Sequence, residues 1–538
     1  MKKLQNLKYS AVIFILIFSF LISITQSSPA INYGGILTIL SEEEPDILNP
    51  VLAEKDISYK ILPLIMDGLV TLDSNFNYIP NLAVSVPTLE NQGVKITDDK
   101  KMIVTYRLRQ ELKWHDGYPV TSDDIKFTWQ MNIGGLLKYI LKRGYEKIDY
   151  IEIPDPLTAI VHFNEIYPGY NSLFNPVIPK HCFLSKQVPF NKKHPFNFYP
   201  IGTGPFIFKK WEKGNYITLD ANYNYHLGKP FLDQIICNFK TYTKETPDLL
   251  AKKKILILEN APVIMYPYLK NLKGVTISTT PAYAIEHLDF NLKNLKLANI
   301  WIRRAIAHAI NKKELNEKVF YSLASEAYSD QYLFHPVYNS DIEKNYPYDI
   351  DQATSFLERA GYKTGQDGIR VNDKNEILSF KLVTTIPNRT EARITEYIEQ
   401  TLAEIGIQVN TTYVSKQALF QQILPDGEYD IALYAWELPV DPDHTLWWDS
   451  HLIPPDGVNY TRFQDYQIDE LLEKGKSTLK LKKRIATYRK ISSILNEFLP
   501  ALPLLYHPII DVYSDKLHNF KPNAVSGNFW NSYEWWLD

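Results

Sequence analysis

The chain shows two hydrophobic rhythms, one typical of strands and one typical of helices. Between 102 and 109 (MIVTYRLR) every second residue is apolar, and this period of two predicts a half-buried strand. From 150 to 163 (YIEIPDPLTAIVHF) two further strand-like runs flank Pro154-Asp155-Pro156. Because each proline fixes φ and lacks an N–H donor, this tripeptide predicts the turn of a β-hairpin. Strand patterns therefore dominate the first half of the chain.

The second half alternates strand and helix patterns. A strand-like run at 380–386 is followed by apolar residues at helical spacing, and Gly406 ends that helix. Strand patterns return at 407–414 and 429–436. The order β-α-β-α-β predicts a partly parallel sheet covered by helices. Two more amphipathic helices are predicted at 301–310 and 483–499.

The N-terminus carries the pattern of a secretory signal peptide. Lys2, Lys3 and Lys8 precede an apolar or weakly polar run from 11 to 24, and small residues near position 30 offer a cleavage site. The run is short for a transmembrane helix, which needs roughly 20 residues. We therefore predict a cleaved signal peptide over 1–30, with retention as a membrane anchor as the alternative.

Composition excludes some classes of function. The 538 residues carry a net charge of -3 with interspersed signs, so no basic surface for nucleic acid is predicted. Aromatic residues make up 13% of the chain, enough to supply both cores and the wall of a binding site. The only cysteines, Cys182 and Cys237, lie far from the cleavage site, so no lipid anchor is expected. They either form one disulfide or stay free thiols.

One stretch, YAWELPVDPDHTLWWDSH (434–451), concentrates chemically active groups. As metal ligands, His444 and His451 lie far apart in sequence, and no H-E-x-x-H or C-x-x-C pair accompanies them. As catalytic groups, the carboxylates of the stretch are too close in sequence to show a pair facing across a cleft. No G-x-S-x-G or complete phosphate-loop motif occurs in the chain. We therefore predict no catalytic residue, metal or cofactor.

The position of this stretch favours a binding site instead. It begins at the carboxyl end of a predicted strand, where α/β proteins usually bind ligands. Pro439 and Pro442 stiffen the backbone, and the tryptophans and carboxylates would form the wall of a pocket. The alternative is that the aromatic side chains only pack and that Asp441 or Asp443 caps the next helical turn.

Several motifs occur in a specific order along the chain. The most specific is WHDGYPVTSDDIKFTW (114–129), with Trp114, Asp116, Gly117, Pro119, Thr121, Asp124 and Trp129 as its characteristic residues. The others are LNPVL (48–52), GTGPF (202–206), WIRRAIAHAINKKEL (301–315) and YDIALYAW followed by DPD (429–443). From about Gly35 to the C-terminus, the chain resembles the extracellular solute-binding proteins of family 5. These are receptors of bacterial ABC importers for peptides, nickel or oligosaccharides.

The resemblance implies an α/β protein of two lobes, a class II-like periplasmic binding protein with an additional domain on its first lobe. Residues 31–54, 181–286 and 505–538 are expected to form lobe I, 55–180 the additional domain, and 287–504 lobe II. The chain is expected to cross between the lobes near 284–291 and near 500–506. Closure of the lobes about these crossings would enclose a ligand.

The resemblance also implies where a ligand binds. Glu54 follows LNPVL in a segment that lines the cleft of peptide-binding relatives, and Trp436 and Glu437 face it from the other lobe. We expect these residues, together with Asp441 and Trp447, to contact the ligand. The carboxylates would hold an ammonium group, and the tryptophans would cover apolar groups.

Two departures from the family pattern leave the ligand open. Peptide-binding relatives often carry an aspartate about three residues after the tryptophan to hold a peptide's α-ammonium, whereas this chain has Leu438 and Pro439 there. The segment 249–262 (LLAKKKILILENAP) also replaces the usual A-G-E-I-D sequence. Peptide specificity therefore does not follow from the resemblance alone.

The leading hypothesis is a secreted receptor without enzymatic activity. It would capture a small polar ligand, foremost a peptide, and deliver it to an ABC permease in the inner membrane. Since no lipid-site cysteine is present, we expect a periplasmic protein, and we expect it to be a monomer. Two alternatives stay open: a secreted hydrolase with a carboxylate or metal site, and a structural envelope protein that keeps the receptor fold.

Overall fold

The structure, a computed structural model, describes residues 31–73, 75–134, 144–184, 190–386 and 388–538. The predicted signal peptide, 1–30, lies outside these residues. Within the described ranges, no helix combines the length and the apolar character needed to cross a bilayer.

The strands are numbered along the chain, and β12 and β19 are much longer than the rest. They are β1 (Ile36–Ser41), β2 (Val70–Leu72), β3 (Tyr78–Pro80), β4 (Val94–Ile96), β5 (Met102–Arg107), β6 (Ile148–Asp155), β7 (Thr158–Phe163), β8 (Phe206–Glu212), β9 (Tyr216–Ala221), β10 (Gln234–Phe239), β11 (Ile257–Leu258), β12 (Val275–Phe290), β13 (Ser325–Glu326), β14 (Lys363–Thr364), β15 (Arg370–Val371), β16 (Ser379–Thr385), β17 (Gln408–Val414), β18 (Ile431–Glu437), β19 (Ala501–Ser514), β20 (Leu517–His518) and β21 (Trp536–Leu537).

The longer helices lie mostly in the second half of the chain. The helices are α1 (Asp56–Ile65), α2 (Ser122–Ile133), α3 (Thr246–Ala251), α4 (Tyr266–Leu269), α5 (Leu295–Ala298), α6 (Ile300–Ala309), α7 (Lys312–Phe320), α8 (Ile350–Arg359), α9 (Arg389–Glu404), α10 (Lys416–Ala418), α11 (Leu424–Asp426), α12 (Thr445–Trp448), α13 (Tyr466–Lys476) and α14 (Leu481–Phe498). A π-helical turn, Leu419–Ile423, joins α10 to α11.

One mixed sheet of eleven strands runs through both lobes. Its order is β17-β16-β18-β12-β19-β11-β1-β10-β9-β8, with β13 paired to β19. In lobe I, β1 pairs in parallel with β10 and β11. In lobe II, β16 pairs in parallel with β17 and β18. Separate apolar cores lie on the two halves of this sheet, so the expected two-lobed α/β fold is confirmed.

The strand and helix alternation predicted for the second half is confirmed. Strands β16 and β17 run parallel and are joined by α9, which buries Ile394, Ile398 and Leu402. Gly406 follows that helix with φ of 81°, a left-handed conformation that glycine adopts readily at a helix end. The predicted amphipathic helices at 301–310 and 483–499 correspond to α6 and α14.

The additional domain contains a four-stranded antiparallel sheet in the order β4-β5-β7-β6. The predicted hairpin is present as β6 and β7, but the predicted turn at 154–156 is placed too early. Pro154 still belongs to β6, and the strands turn at Pro156 and Leu157. Since β6 is an edge strand whose register shifts between Glu152 and Asp155, a proline there disrupts no regular ladder.

Helix α1 belongs to the core of lobe I, although the sequence analysis assigned residues from 55 onward to the additional domain. Its apolar side chains, among them Ile61 and Ile65, pack with Leu37 and Ile217 of the lobe I strands. The separate core of the additional domain begins at Leu69. Helix α1 therefore follows the lobe I sheet because its apolar face completes that core.

The GTGPF segment leads into β8 and holds the end of α1 in place. Gly204 N–H donates to the Ile65 carbonyl at 2.8 Å. A Cβ atom on Gly202 would lie 1.8 Å from that same carbonyl oxygen, so no side chain fits. These glycines therefore fix how the end of α1 packs against the segment that leads into β8 of lobe I.

The tryptophan motif of the additional domain acts as a scaffold. Thr121 and Asp124 form a capping box at the start of α2. Asp124 is buried and also accepts a hydrogen bond from the Lys180 N–H at 2.8 Å. The motif therefore ties α2 to the 3-10 helical turn Lys180–Phe183.

The long strands β12 and β19 carry the sheet from one lobe to the other. They pair in antiparallel fashion along most of their length. The register shifts between Pro281 and Ile285, opposite His507, and again between Glu286 and His287. The crossings expected near 284–291 and 500–506 lie on these two strands.

Candidate functional site

A cavity of about 870 Å³ lies between the lobes, and we call it the cleft cavity. Its lining comes from all three parts of the molecule: the LNPVL segment of lobe I, several segments of the additional domain, and the lobe II segments around 335, 440 and 484. Ligand pockets usually measure about 300–1,000 Å³ and occur between domains. The cleft cavity fits both criteria.

The charges of the cleft cavity compensate each other. Asp441 Oδ1 accepts a hydrogen bond from Arg484 Nη2 at 2.6 Å, and the Arg484 side chain is largely buried. Burial lowers the pKa of His335 to about 4, so this imidazole is neutral near pH 7. Among the described lining residues, no charged group other than this pair faces the cavity.

Neutral polar groups supply the hydrogen-bonding capacity of the cleft cavity. Tyr78 and Tyr170 line it, and burial raises the pKa of Tyr170 to about 12. The hydroxyl of Tyr170 already donates to the Pro87 carbonyl at 2.8 Å. Asn171 is only 7% exposed, and its Oδ1 has no hydrogen-bond partner among the described residues. A buried acceptor of this kind is stabilised by a donor on a bound ligand.

Aromatic contacts close the cleft on one side. The ring of Phe76 in the additional domain lies 4.8 Å from the His335 ring and 5.8 Å from the Tyr332 ring of lobe II. Tyr332 in turn stacks on Tyr283 at 4.2 Å. The additional domain therefore touches lobe II directly, and the cavity lies behind this contact.

A second cavity, of about 520 Å³, is lined only by residues of lobe II, and we call it the lobe II cavity. Trp436, Glu437 and Trp447 all line it. The Trp436 ring is stacked between His287, at 3.6 Å, and Trp447, at 5.2 Å. Glu437 ends β18 and is exposed, as expected for a residue at the carboxyl end of a strand.

The residues predicted to contact the ligand are divided between different places. Trp436, Glu437 and Trp447 line the lobe II cavity, whereas Asp441 lines the cleft cavity. Glu54 lines neither; it is exposed and pairs with Lys192 at 2.5 Å. Because Trp436, Glu437, Asp441 and Trp447 are close in sequence, they were expected to line one site. The chain turns after β18, however, and Asp441 lies on the other side of that turn.

The two histidines of the 434–451 stretch have separate environments. His444 is buried, with Nδ1 2.9 Å from Asp330 Oδ2, and Trp448 donates to the same oxygen at 2.8 Å. His451 is exposed and lies near Asp449 and Asp469, with ligand-type atoms within 4.8 Å of one another. His444 and Trp448 therefore hold lobe II together. Asp443 accepts from the Thr445 N–H at 3.1 Å, but the cap position of α12 is His444, which makes no side-chain capping hydrogen bond.

Both cysteines are free thiols in the structure. Cys182 is half-buried and Cys237 is buried among the apolar residues of lobe I. Burial raises the pKa of the Cys182 thiol to about 12, so it is protonated at neutral pH.

Four residues of the two cavities were not found from the sequence. Arg484 and Asn171 line the cleft cavity, and Asp289 and Glu391 line the lobe II cavity. Asp289 did not stand out in the sequence because Glu286 and His287 precede it at the same end of β12. The other three lie in a helix or a turn where a polar residue is ordinary, so nothing marked them.

A two-lobed α/β molecule with a cavity between its lobes is a receptor that closes around a solute. The sequence profile of the bacterial extracellular solute-binding proteins, family 5 (middle region), matches residues 77–451, and the chain belongs to this family. The family resemblance drawn from the motifs is thereby confirmed.

Several relatives cover nearly the whole chain. The oligopeptide-binding protein AppA of Bacillus subtilis is 27% identical, over 96% of this chain and 94% of its own. The structure of that protein in complex with a nonapeptide aligns over 95% of this chain and 100% of its own, with a TM-score of 0.69 and 25% identity. NikZ of Campylobacter jejuni, solved with Ni(L-His), aligns over 93% of this chain and 99% of its own, with a TM-score of 0.71 and 25% identity.

Proposed function

We propose that the protein is the receptor of an ABC importer and captures a peptide in the cleft cavity. The observation that carries this proposal is the cavity itself, because lobe I, the additional domain and lobe II all contribute to its lining. A ligand bound there would contact both lobes and so favour their closed arrangement. The nonapeptide complex of the Bacillus subtilis relative supports peptide as the ligand class.

The chemistry of the cavity suits an uncharged portion of a peptide. Because Asp441 and Arg484 neutralise each other and His335 is uncharged, a charged ligand group would lose its hydration without a counter-charge. Tyr78 and Asn171 offer hydrogen bonds of the kind that peptide groups make. The function is capture and release, without bond chemistry, and no observation favours the hydrolase or the structural alternative.

We propose revised roles for the residues that the sequence predicted as ligand contacts. Asp441 faces the ligand as half of an ion pair and not as a free anchor for an ammonium group. Trp436, Glu437 and Trp447 would contact a part of the ligand that enters lobe II. Glu54, exposed and paired with Lys192, would act at the rim of the cleft.

The cellular setting follows from the family, whose members are extracellular. We place this receptor in the periplasm, as a monomer that delivers its ligand to a permease in the inner membrane.

Native mass spectrometry of the gently purified mature protein tests the proposal. We expect a heterogeneous added mass of peptide size that is lost on denaturation. The variant Ser172→Trp places a large ring in the cleft cavity and should lower peptide occupancy at least tenfold. Ser477→Trp, at an exposed position outside both cavities, is the matched control. A protein that is empty, and that shows no thermal shift with peptide mixtures, would contradict the proposal.

A further inference from the structure

The lobe II cavity carries an excess of negative charge. Three carboxylates line it: Asp289, Glu391 and Glu437. The only basic side chain among the described lining residues is Lys416, which is exposed at the rim. Asp289 is 2% exposed and Glu391 is 4% exposed, so neither is hydrated like a surface carboxylate.

The hydrogen bonds of these buried carboxylates leave one oxygen free on each. Asp289 Oδ2 accepts from the Tyr434 hydroxyl at 2.5 Å, but Oδ1 has no hydrogen-bond partner in the described chain. His287 Nε2 lies 3.3 Å from that Oδ1 without forming a hydrogen bond. Glu391 accepts its hydrogen bonds from Thr384 and Thr385 through Oε2 alone. Buried carboxylates with unused lone pairs are stabilised by a cation that donates hydrogen bonds.

Neighbouring charged groups do not neutralise the excess negative charge of the lobe II cavity. Glu286, which is fully buried, interacts with Glu391 and adds to the negative potential. Burial, followed by this interaction with Glu286, raises the pKa of Glu391. His507 compensates Glu286, to which it is hydrogen-bonded at 2.8 Å. Asp289 and Glu391 remain without a basic side chain in direct hydrogen-bonding contact among the described residues.

The cavity favours an organic cation over a metal ion. Within the described chain, the only three His, Cys, Asp or Glu residues whose ligand atoms lie within 4.8 Å of one another are Asp449, His451 and Asp469. The carboxylates of the lobe II cavity are therefore too widely spread to coordinate one ion. Its walls also include the aromatic rings of Phe420, Trp447 and Tyr460, and the faces of aromatic rings attract ammonium and guanidinium groups.

We propose that the lobe II cavity binds an organic cation, an ammonium or a guanidinium group, between its carboxylates and its aromatic rings. Such a group comes either from a free amine or from the basic side chain of a peptide held in the cleft. In the second case the inference rests on the proposed function and adds a preference for basic peptides. In the first case the cavity is an independent site.

Calorimetric titration of the ligand-stripped protein tests the inference. The probes are 1,5-diaminopentane and matched N-acetylated peptides Ala-X-Ala-Ala with X as lysine, arginine or uncharged norleucine, so that the side chain of X carries the only cation of each peptide. We expect at least tenfold tighter binding of the lysine and arginine peptides than of the norleucine peptide, or saturable binding of the free diamine. The first result identifies a peptide group as the cation, and the second identifies a free amine.

Matched variants separate the site from general surface charge. Glu437→Gln and, separately, Asp289→Asn should weaken the binding of the cationic probe about tenfold more than the binding of the norleucine peptide. Glu396→Gln, an exposed residue on the same helix as Glu391, should leave both unchanged. Lys416→Met should strengthen binding of the cation severalfold because it removes a competing charge. If Asp289→Asn fails to fold, the affinities of Glu437→Gln and Lys416→Met for the cationic probe still show whether it binds in the lobe II cavity.

The failure of the inference is distinguishable from failure of the proposed function. Equal affinity for lysine and norleucine peptides, with no binding of the diamine, would overturn the cation site while supporting a peptide receptor. Binding of the diamine in a protein that takes up no peptide would support the cation site and contradict the peptide proposal. Cation binding that ignores Glu437→Gln and Lys416→Met would also overturn the assignment to this cavity.

Discussion

Glu286 Oε1 lies 2.8 Å from His507 Nε2 and joins the two strands that cross between the lobes. Glu286 is on β12 and His507 is on β19, at the register shift of the pair. Burial by itself lowers the pKa of His507, but the hydrogen bond and charge of Glu286 raise it above 6.5 overall. The pair therefore links the protonation of one imidazole to the conformation of the crossing.

This link predicts that stability falls as pH rises. Because the folded-state pKa of His507 exceeds its unfolded value, its contribution is complete below about pH 6.5 and is lost as pH rises through the folded-state pKa. We expect this group to lower the free energy of unfolding of the wild-type protein as the pH rises from 6 to 8.5. His507→Gln and Glu286→Gln should each flatten this slope in thermal unfolding curves. If the stability of both variants depends on pH as steeply as that of the wild type, His507 and Glu286 are not the source of the pH dependence.

Removing one partner of the ion pair between Asp441 and Arg484 should destabilise the protein more than removing both partners. Arg484→Met leaves the Asp441 carboxylate without its partner at 2.6 Å and should cost about 1–3 kcal/mol. The double variant with Asp441→Asn should recover most of that loss because no uncompensated charge remains. Chemical denaturation of the two single variants and the double variant gives the coupling energy. If the stability losses of the two single variants simply add up in the double variant, the two residues do not interact and the prediction is wrong.

The two glycine positions at 202 and 214 should respond differently to alanine. Gly202→Ala places a Cβ atom 1.8 Å from the Ile65 carbonyl oxygen, and the contact atom is backbone. We expect a loss of more than about 3 kcal/mol or failure to fold. Gly214→Ala meets open space and is strained only by its φ of +78°, so about 1 kcal/mol is expected. Soluble yield and thermal unfolding provide the comparison.

Replacing Asn171 should raise the stability of the ligand-free protein and lower its affinity for peptide. Asn171→Leu removes a buried acceptor that has no partner, so the ligand-free protein should gain about 1 kcal/mol. Peptide affinity should fall about tenfold because a hydrogen bond to the ligand is lost. Thermal unfolding of stripped protein and calorimetry with bound peptide measure the two effects separately. A variant that gains stability without losing affinity would place the ligand elsewhere in the cavity.

The sequence predicted the elements with a clear period and missed contacts set by the tertiary fold. Alternation along 102–109 and helical spacing before Gly406 gave β5 and α9, because these patterns reflect burial of one face. Helix α1 was assigned to the wrong part because an apolar stripe shows that a face is buried and not which core it enters. The turn at 154–156 was misplaced because edge position, which tolerates proline, is not visible in sequence.

The candidate site was predicted only in part for a similar reason. The segment 434–451 does reach both cavities, as its position after a buried strand suggested. Its division between them depends on the path of the chain after Glu437. The pairing of Asp441 with Arg484 joins residues far apart in sequence, which a single sequence cannot show.

The continuous sheet has a consequence for fragments of this protein. Strands β12 and β19 pair with each other on both sides of the register shift, so each half of the molecule keeps its own antiparallel pairs. Cleavage of the backbone at one crossing alone leaves the other strand continuous. Proteolytic nicking at a single crossing should therefore yield two halves that stay associated until the protein is denatured.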